Sequence, residues 1–139
     1  MIEETVTSDL EGKRTPSALT KQLYRVRGFV IDDCERRITR TLKLDLFGFA
    51  DHVAVVSHPI FVSLAHYIQS TSASNHAARV KKVAANNAAK MLNGMSTIRV
   101  ISWKRKKIRR KLKSGKPGKS FRYVYEGRIS TFEAEDFTC

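Results

Sequence analysis

The spacing of apolar positions changes several times along the chain, and each change marks an element. In "TPSALTKQLYRVRG", Thr15 stands as an N-cap before Pro16, and Leu19, Leu23 and Val26 recur at helical spacing ahead of Gly28, which predicts a short helix. Lys21, Arg25 and Arg27 give that helix a basic outer face. "FVIDDCERRI" alternates imperfectly and predicts a strand that bends or exits at Asp32 and Asp33. "DHVAVVS" is β-branched, His58-Pro59 breaks it, and "IFVSLAHYIQS" has the length and apolarity of a central strand, so these two are expected to pair as a hairpin. "TSASNHAARVKKVAANNAAKMLNGM" predicts one helix, capped by Ser72 or Ser74, with Ala78, Ala85, Ala89 and Leu92 along one face and a stop at Asn93-Gly94. "STIRVISW" is a further strand, "SGKPGKS" a break, and "FRYVYEGRIS" resumes alternation.

The order helix, three strands, helix and further strands predicts an α/β class. A chain of 139 residues holds one core of ordinary size, here assigned to residues 15–139. Residues 1–14 are polar and acidic without a period and are expected to form a flexible acidic arm, and the acidic tail "TFEAEDFTC" is expected to fray. The sequence contains no internal repeat.

Composition sharpens this in one place. The formal net charge is +13, and eleven of the 26 Lys and Arg lie between Lys104 and Arg122, a segment without an acid. The rest of the chain, with fifteen bases against thirteen acids, is nearly neutral. A run of Lys104, Arg105, Lys106, Lys107, Arg109, Arg110, Lys111 and Lys113 repels itself unless a polyanion offsets it, so nucleic acid contact is expected through a basic β-hairpin or arm near the C-terminus. DNA is the expected partner and RNA the alternative. Trp103, Phe121, Tyr123 and Tyr125 border the segment and are expected to pack in strands rather than stack on bases. No apolar run approaches the roughly 18 residues of a membrane span. The acidic N-terminus is unlike a secretory signal, which sets a cytoplasmic, nucleic-acid-associated location as the expectation. Two cysteines, Cys34 and Cys139, make neither a disulfide framework nor a metal quartet.

The candidate chemistry centres on "LDLFGFADHVAVV". If the strand that Asp51 opens pairs with the strand ending at Gln69, their side chains converge at one edge of the sheet, with Asp45 on the neighbouring turn. Two carboxylates and an amide oxygen suit a hard divalent cation, Mg²⁺ with Mn²⁺ as its substitute, that activates water against a phosphate. The four histidines, His52, His58, His66 and His76, lack metal-ligand spacing and are assigned structural or surface roles.

"LDLFGFADHVAVV", followed by an apolar strand ending in "QSTSASNHAARVKK", resembles small phage and bacterial proteins of the PD-(D/E)XK nuclease superfamily, over roughly residues 16–103. The resemblance implies a restriction-endonuclease-like mixed central sheet flanked by helices, similar to that of Holliday-junction resolvases, and a homodimer. It places Asp51 at the superfamily's metal-binding aspartate, Gln69 where an acidic residue would stand and Thr71 where a lysine would stand. Lys82 or Arg79, with Lys81 beside them on the next helix, would take over the displaced lysine's role, since superfamily members relocate it in this way. The implied activity is metal-dependent hydrolysis of phosphodiester bonds in branched or otherwise structured DNA. The alternatives are a nuclease fold that binds nucleic acid without cutting and, further off, an RNA-binding or ribosome-associated protein.

Overall fold

A computed structural model describes residues 1–8, 10, 12–40, 42–57 and 64–139. A six-stranded mixed sheet carries three helices, in the chain order β1 (Ile2–Ser8), α1 (Pro16–Val26), β2 (Val30–Asp33), β3 (Arg36–Arg37), β4 (Lys43–Leu44), β5 (His52–Val56), β6 (Leu64–Ser72), α2 (His76–Ala84), α3 (Asn87–Asn93), β7 (Thr97–Lys111) and β8 (Pro117–Thr131). The sheet order is β1-β8-β7-β6-β5-β2, and β3 with β4 forms a separate small hairpin. Among these pairings only β6 with β7 is parallel, which follows from the helical crossover between them. The expected hairpin of "DHVAVV" with the following strand is present, Val53 opposite Tyr67. The His58-Pro59 break and residues 60–63 lie outside the described residues.

Each face of the sheet has its own core. Leu19 and Tyr24 of α1 cover Ala54, Ile68, Ile101, Trp103 and Ile129 on one side. On the other, Val83, Ala84 and Ala89 of α2 and α3 pack with Phe49, Ile98, Val100 and Phe132. The central strands are therefore apolar on both faces, as a covered sheet requires. α1 follows its sequence signals: Thr15 Oγ1 accepts the Ala18 N–H at 3.1 Å and Pro16 opens the helix. Val26, however, is 75% exposed, and the buried stripe runs through Leu19, Thr20 and Tyr24 instead.

Three expectations need correction. The N-terminal segment, expected to be a mobile arm, is the edge strand β1, in register with β8 from Ile2 opposite Thr131 to Ser8 opposite Tyr125. Its acids answer basic neighbours: Glu3 pairs with Arg128 at 3.0 Å and Glu4 with Arg27 at 2.7 Å. The single helix expected after β6 is two. Ser72 belongs to β6, a 3₁₀ turn spans Ala73–Asn75, and the chain breaks at Asn86, whose Oδ1 caps α3 by accepting the Ala89 N–H at 2.9 Å. The acidic tail is docked rather than frayed: Phe132 is buried, Glu133 and Asp136 form a reciprocal cap, and the Thr138 N–H bonds the Ala84 carbonyl.

β7 and β8 outrun the sheet. The last β6 partner of β7 is Trp103 and the last β1 partner of β8 is Tyr125, while β7 and β8 stay paired as far as Lys111 opposite Pro117. The basic segment is thus a two-stranded ribbon projecting beyond the C-terminal end of β6, and the residues from Lys104 to Lys111 are exposed.

Candidate metal centre

Three backbone clamps position Asp51 at the mouth of β5. Its N–H bonds the Ile68 carbonyl at 2.8 Å, its carbonyl accepts the Cys34 N–H at 2.9 Å, and its Oδ2 accepts the Ser70 N–H at 2.9 Å. Asp45 sits on the preceding turn, where Phe47 and Gly48 both adopt positive φ (53° and 79°). That pair is what a tight primed turn uses, and it folds Leu46 back onto Ala50. Asn86 pins the turn from outside, its Nδ2 donating to the Phe47 carbonyl at 3.0 Å. One side chain thus caps α3 and holds the loop that carries Asp45.

The third acid is Glu35, just past β2. Carboxylate oxygens of Glu35, Asp45 and Asp51 all lie within 4.8 Å of one another, a group that could hold a metal ion. Cys34 donates its backbone N–H to Asp51, so the β2–β5 pairing delivers Glu35 to the cluster. Sequence reasoning passed over Glu35. The only available signal was that "VIDD" and "HVAV" pair antiparallel, and the register decides which of Asp32, Asp33 and Glu35 turns inward. Asp33 instead pairs with Lys21 at 3.1 Å and with His52.

Gln69 meets Asp51 as expected: its Nε2 donates to Asp51 Oδ2 at 2.6 Å. The opposite amide orientation would set two oxygens at that separation. Gln69 is only 2% exposed, and among the described residues its Oε1 is the one buried side-chain polar atom without a hydrogen-bond partner. An orphaned acceptor of this kind costs about 1–3 kcal/mol. Thr71 is buried two residues further along β6, on the same strand face as Gln69. Lys82 of α2 reaches Asp45 Oδ2 at 3.1 Å. Arg79, one turn earlier, adds its field at Asp45, while Lys81 is exposed. Lys43 lies 3.4 Å from Glu35. The basic residues Lys104 to Lys113 stand on the ribbon and its turn, not on the elements that carry the cluster.

The electrostatics follow from crowding. Burial and the hydrogen bond with Asp45 push the Asp51 carboxyl up to about 7, against the pull of the Ser70 N–H. Burial would also raise Asp45, but the bond with Asp51 and the Lys82 ammonium hold it below the usual carboxylate range. Near neutral pH the pair therefore shares a proton, Asp51 donating to Asp45, as two close carboxylates must when no cation separates them.

The opposite sheet face braces the site. Ser70 sends its N–H to Asp51 and its hydroxyl to Thr20 Oγ1 at 2.8 Å, while Trp103 Nε1 donates to the same Thr20 oxygen at 3.0 Å. His52 stands between Asp33, 2.9 Å from Nδ1, and the hydroxyls of Ser70 at 2.9 Å and Ser17 at 3.3 Å from Nε2. Burial lowers the His52 pKa despite Asp33, which favours the neutral ring, with Nδ1–H donating to the carboxylate and Nε2 facing the two serine hydroxyls. His66 bonds the Tyr24 hydroxyl and His76 bridges Ser102 and Ser130, which makes these histidines parts of the frame. His58 lies outside the described residues. An open cleft lined by Thr15, Pro16, Ser17, Glu35, Lys43, Asp51 and Ser70 gives solvent access to the carboxylates beside the N-terminus of α1. No helix among the described residues is long and apolar enough to cross a membrane.

Comparison with protein-family models, with curated proteins and with solved structures finds no match to this chain.

Proposed function

We propose that this protein is a metal-dependent phosphodiester hydrolase of nucleic acid, built on a PD-(D/E)XK-like plan with Mg²⁺ or Mn²⁺ as its cation. The observation that carries this reading is the meeting of three carboxylates within 4.8 Å of one another beside the buried Gln69, whose Nε2 reaches Asp51 and whose Oε1 has no hydrogen-bond partner. Carboxylates plus one neutral amide oxygen are the hard donor set that such a cation takes. Support also comes from the element order, in which α1 precedes β2, β5 and β6, Asp51 opens β5, and α2 follows β6.

A cation held by Glu35, Asp45, Asp51 and Gln69 would lower the pKa of a bound water and offset charge developing on phosphate. The chain's own contributions are separate. Asp51 gives up the proton it shares with Asp45, which is released to solvent as the site fills. Lys82, half-exposed at 39%, is the cation paired with Asp45 and would leave it to meet a phosphate oxygen brought to the cluster. Thr71 offers a hydroxyl from the same strand face as Gln69.

A second reading, a nuclease fold that binds without cutting, is favoured by one feature: Gln69 with Asp51 and Lys82 with Asp45 close the site on itself. Supercoiled, linear and four-way-junction DNA, and RNA of matching length, incubated with Mg²⁺, Mn²⁺ or EDTA separate the two. Cutting that requires the metal and disappears in Asp51→Asn is expected. Tight binding with no cutting in any metal would overturn the hydrolase reading and leave the binding module.

A further inference from the structure

The ribbon formed by the ends of β7 and β8 carries cations on both of its faces, and their arrangement names a shape of partner. Side chains alternate across a strand, and directly paired residues share a face. Arg105, Lys107 and Arg109 therefore lie on one face with Tyr123 and Phe121, opposite which Lys107 and Arg109 are paired. Lys104 and Lys106 lie on the other with Glu126, to which Lys106 is ion-paired, and Arg110 follows at the register shift between Arg109 and Lys111. On the first face the cations cover the rings: the Arg105 guanidinium sits 4.5 Å from the Tyr123 centroid, and Lys107 Nζ and the Arg109 guanidinium sit 4.1 and 5.3 Å from that of Phe121.

We infer that this ribbon is an arm that enters the major groove of double-helical DNA, and that the substrate class is duplex rather than single-stranded nucleic acid. The inference rests on the reading of this protein as one that acts on nucleic acid. Four physical points lead to it. From Lys106 to Lys111 the free ribbon spans about 17 Å at ~3.4 Å per residue, and a two-stranded ribbon fits a groove about 12 Å wide. Cations on both faces meet the two phosphate walls that flank a groove, whereas a flat anionic bilayer would engage one face and want free apolar side chains on it. Cations sit over the Phe121 and Tyr123 rings, and although Phe121 stays 40% exposed a base would have to displace them to stack there; the rings hold the cations in place, which lowers the side-chain entropy lost on binding. The A-form major groove of duplex RNA is too deep and narrow to admit the ribbon. The ribbon leaves the sheet at the end of β6 that holds Gln69 and Thr71, so a duplex on it is presented at the end of the sheet that carries the carboxylates.

The experiment is equilibrium binding of the full-length protein, in EDTA so that nothing is cut, to a fluorescent 30-base-pair DNA duplex, the same DNA as a single strand, duplex RNA, and vesicles containing phosphatidylserine. Duplex DNA is expected to bind at least tenfold more tightly than single-stranded DNA or duplex RNA, and more tightly than the vesicles. With about six phosphate contacts the affinity should fall on the order of a thousandfold between 50 and 200 mM salt. Replacing Arg105, Lys107 and Arg109 together by Gln, or Lys104, Lys106 and Arg110 together by Gln, should each flatten the log–log salt slope by about 3. Phe121→Leu with Tyr123→Leu should weaken duplex binding severalfold. An equal or tighter grip on single strands, duplex RNA or vesicles overturns the inference, as does an unchanged slope in either triple variant. Asp51→Asn keeps the duplex preference if the ribbon acts as inferred, whatever becomes of cutting; cutting that persists in both triple variants at low salt leaves the hydrolase reading standing while the ribbon's role falls.

Discussion

Replacing Asp51 by Asn should stabilise the metal-free protein above neutral pH and leave it unchanged in acid. In the native chain the Asp51 carboxyl is raised from 3.8 to about 7, first by burial and then by its bond to Asp45. A carboxyl raised on folding favours the protonated, compact form. Its contribution is fully present below about pH 4, erodes as pH rises through the folded value near 7, and is then gone. The erosion is about three pKa units at ~1.4 kcal/mol each, on the order of 4 kcal/mol. That is a large share of the roughly 5–15 kcal/mol a domain possesses. The Asn side chain reproduces the bonds of the protonated acid, with its oxygen accepting from Ser70 N–H and its amide donating to Asp45, and it never ionises.

Urea unfolding of both proteins from pH 4.5 to 8.5 in EDTA measures the difference directly. The gap between Asp51→Asn and the native chain should already be about 1 kcal/mol at pH 4.5, widen as pH rises and level off above pH 7. Buried His52, His66 and His76 have depressed pKa values, so they cost stability as pH falls below about 6.5, but they do so in both proteins and cancel in the gap. Mn²⁺ or Mg²⁺ at a hundred times its dissociation constant should return about 2.7 kcal/mol to the native chain and nothing to the variant. A gap that does not vary with pH, a variant less stable than the native chain at pH 8, or equal metal stabilisation of both would refute the reasoning.

Three other substitutions probe separate parts of the structure. Gly127→Ala puts a Cβ 2.8 Å from the Trp103 ring of β7 and 2.8 Å from Val6 of the edge strand β1; it should cost about 1–3 kcal/mol in urea unfolding, and adding Trp103→Leu should recover part of the loss. Lys82→Met should change stability by less than about 1 kcal/mol because the Asp45 pair is partly exposed, yet tighten Mn²⁺ binding by calorimetry while slowing DNA cutting; equal losses in both readouts would contradict a phosphate-facing lysine. Deleting residues 1–8 removes β1 from the edge of β8 and should lower the melting temperature and promote association through the bared edge, seen as a mass shift in light scattering.

The expected α/β class and the elements of its centre were legible because their signals are local. Thr15, Pro16 and Gly28 delimit α1 through capping chemistry that a few residues complete on their own. The basic ribbon announced itself by a charge run broken by Ser-Gly. What escaped depends on partners distant in the chain. β1 lacks an apolar period because its acids are satisfied by Arg128 and Arg27, more than a hundred and about twenty residues away respectively. Asn86 reads as one more helical residue until the turn at Phe47 is in place to receive its amide. Glu35 is a surface-looking acid until strand register brings it to Asp51.

That register also gives a physical account of Gln69. A glutamate there would make a fourth carboxylate in a site where burial already drives Asp51 to keep a proton near pH 7. A divalent cation offsets two charges, so an additional buried carboxylate would need a second proton or a second cation. Gln69 avoids this and does what an ionised carboxylate could not: it donates to Asp51 through Nε2, adding no charge to the cluster. With Glu35 supplying the third negative charge from β2, an amide at position 69 is the electrostatically matched choice. An amide on β6 and an acid just beyond β2 are two halves of the same charge balance. On the same account Lys82 meets Asp45 from the helix, where its ammonium offsets part of the cluster's charge.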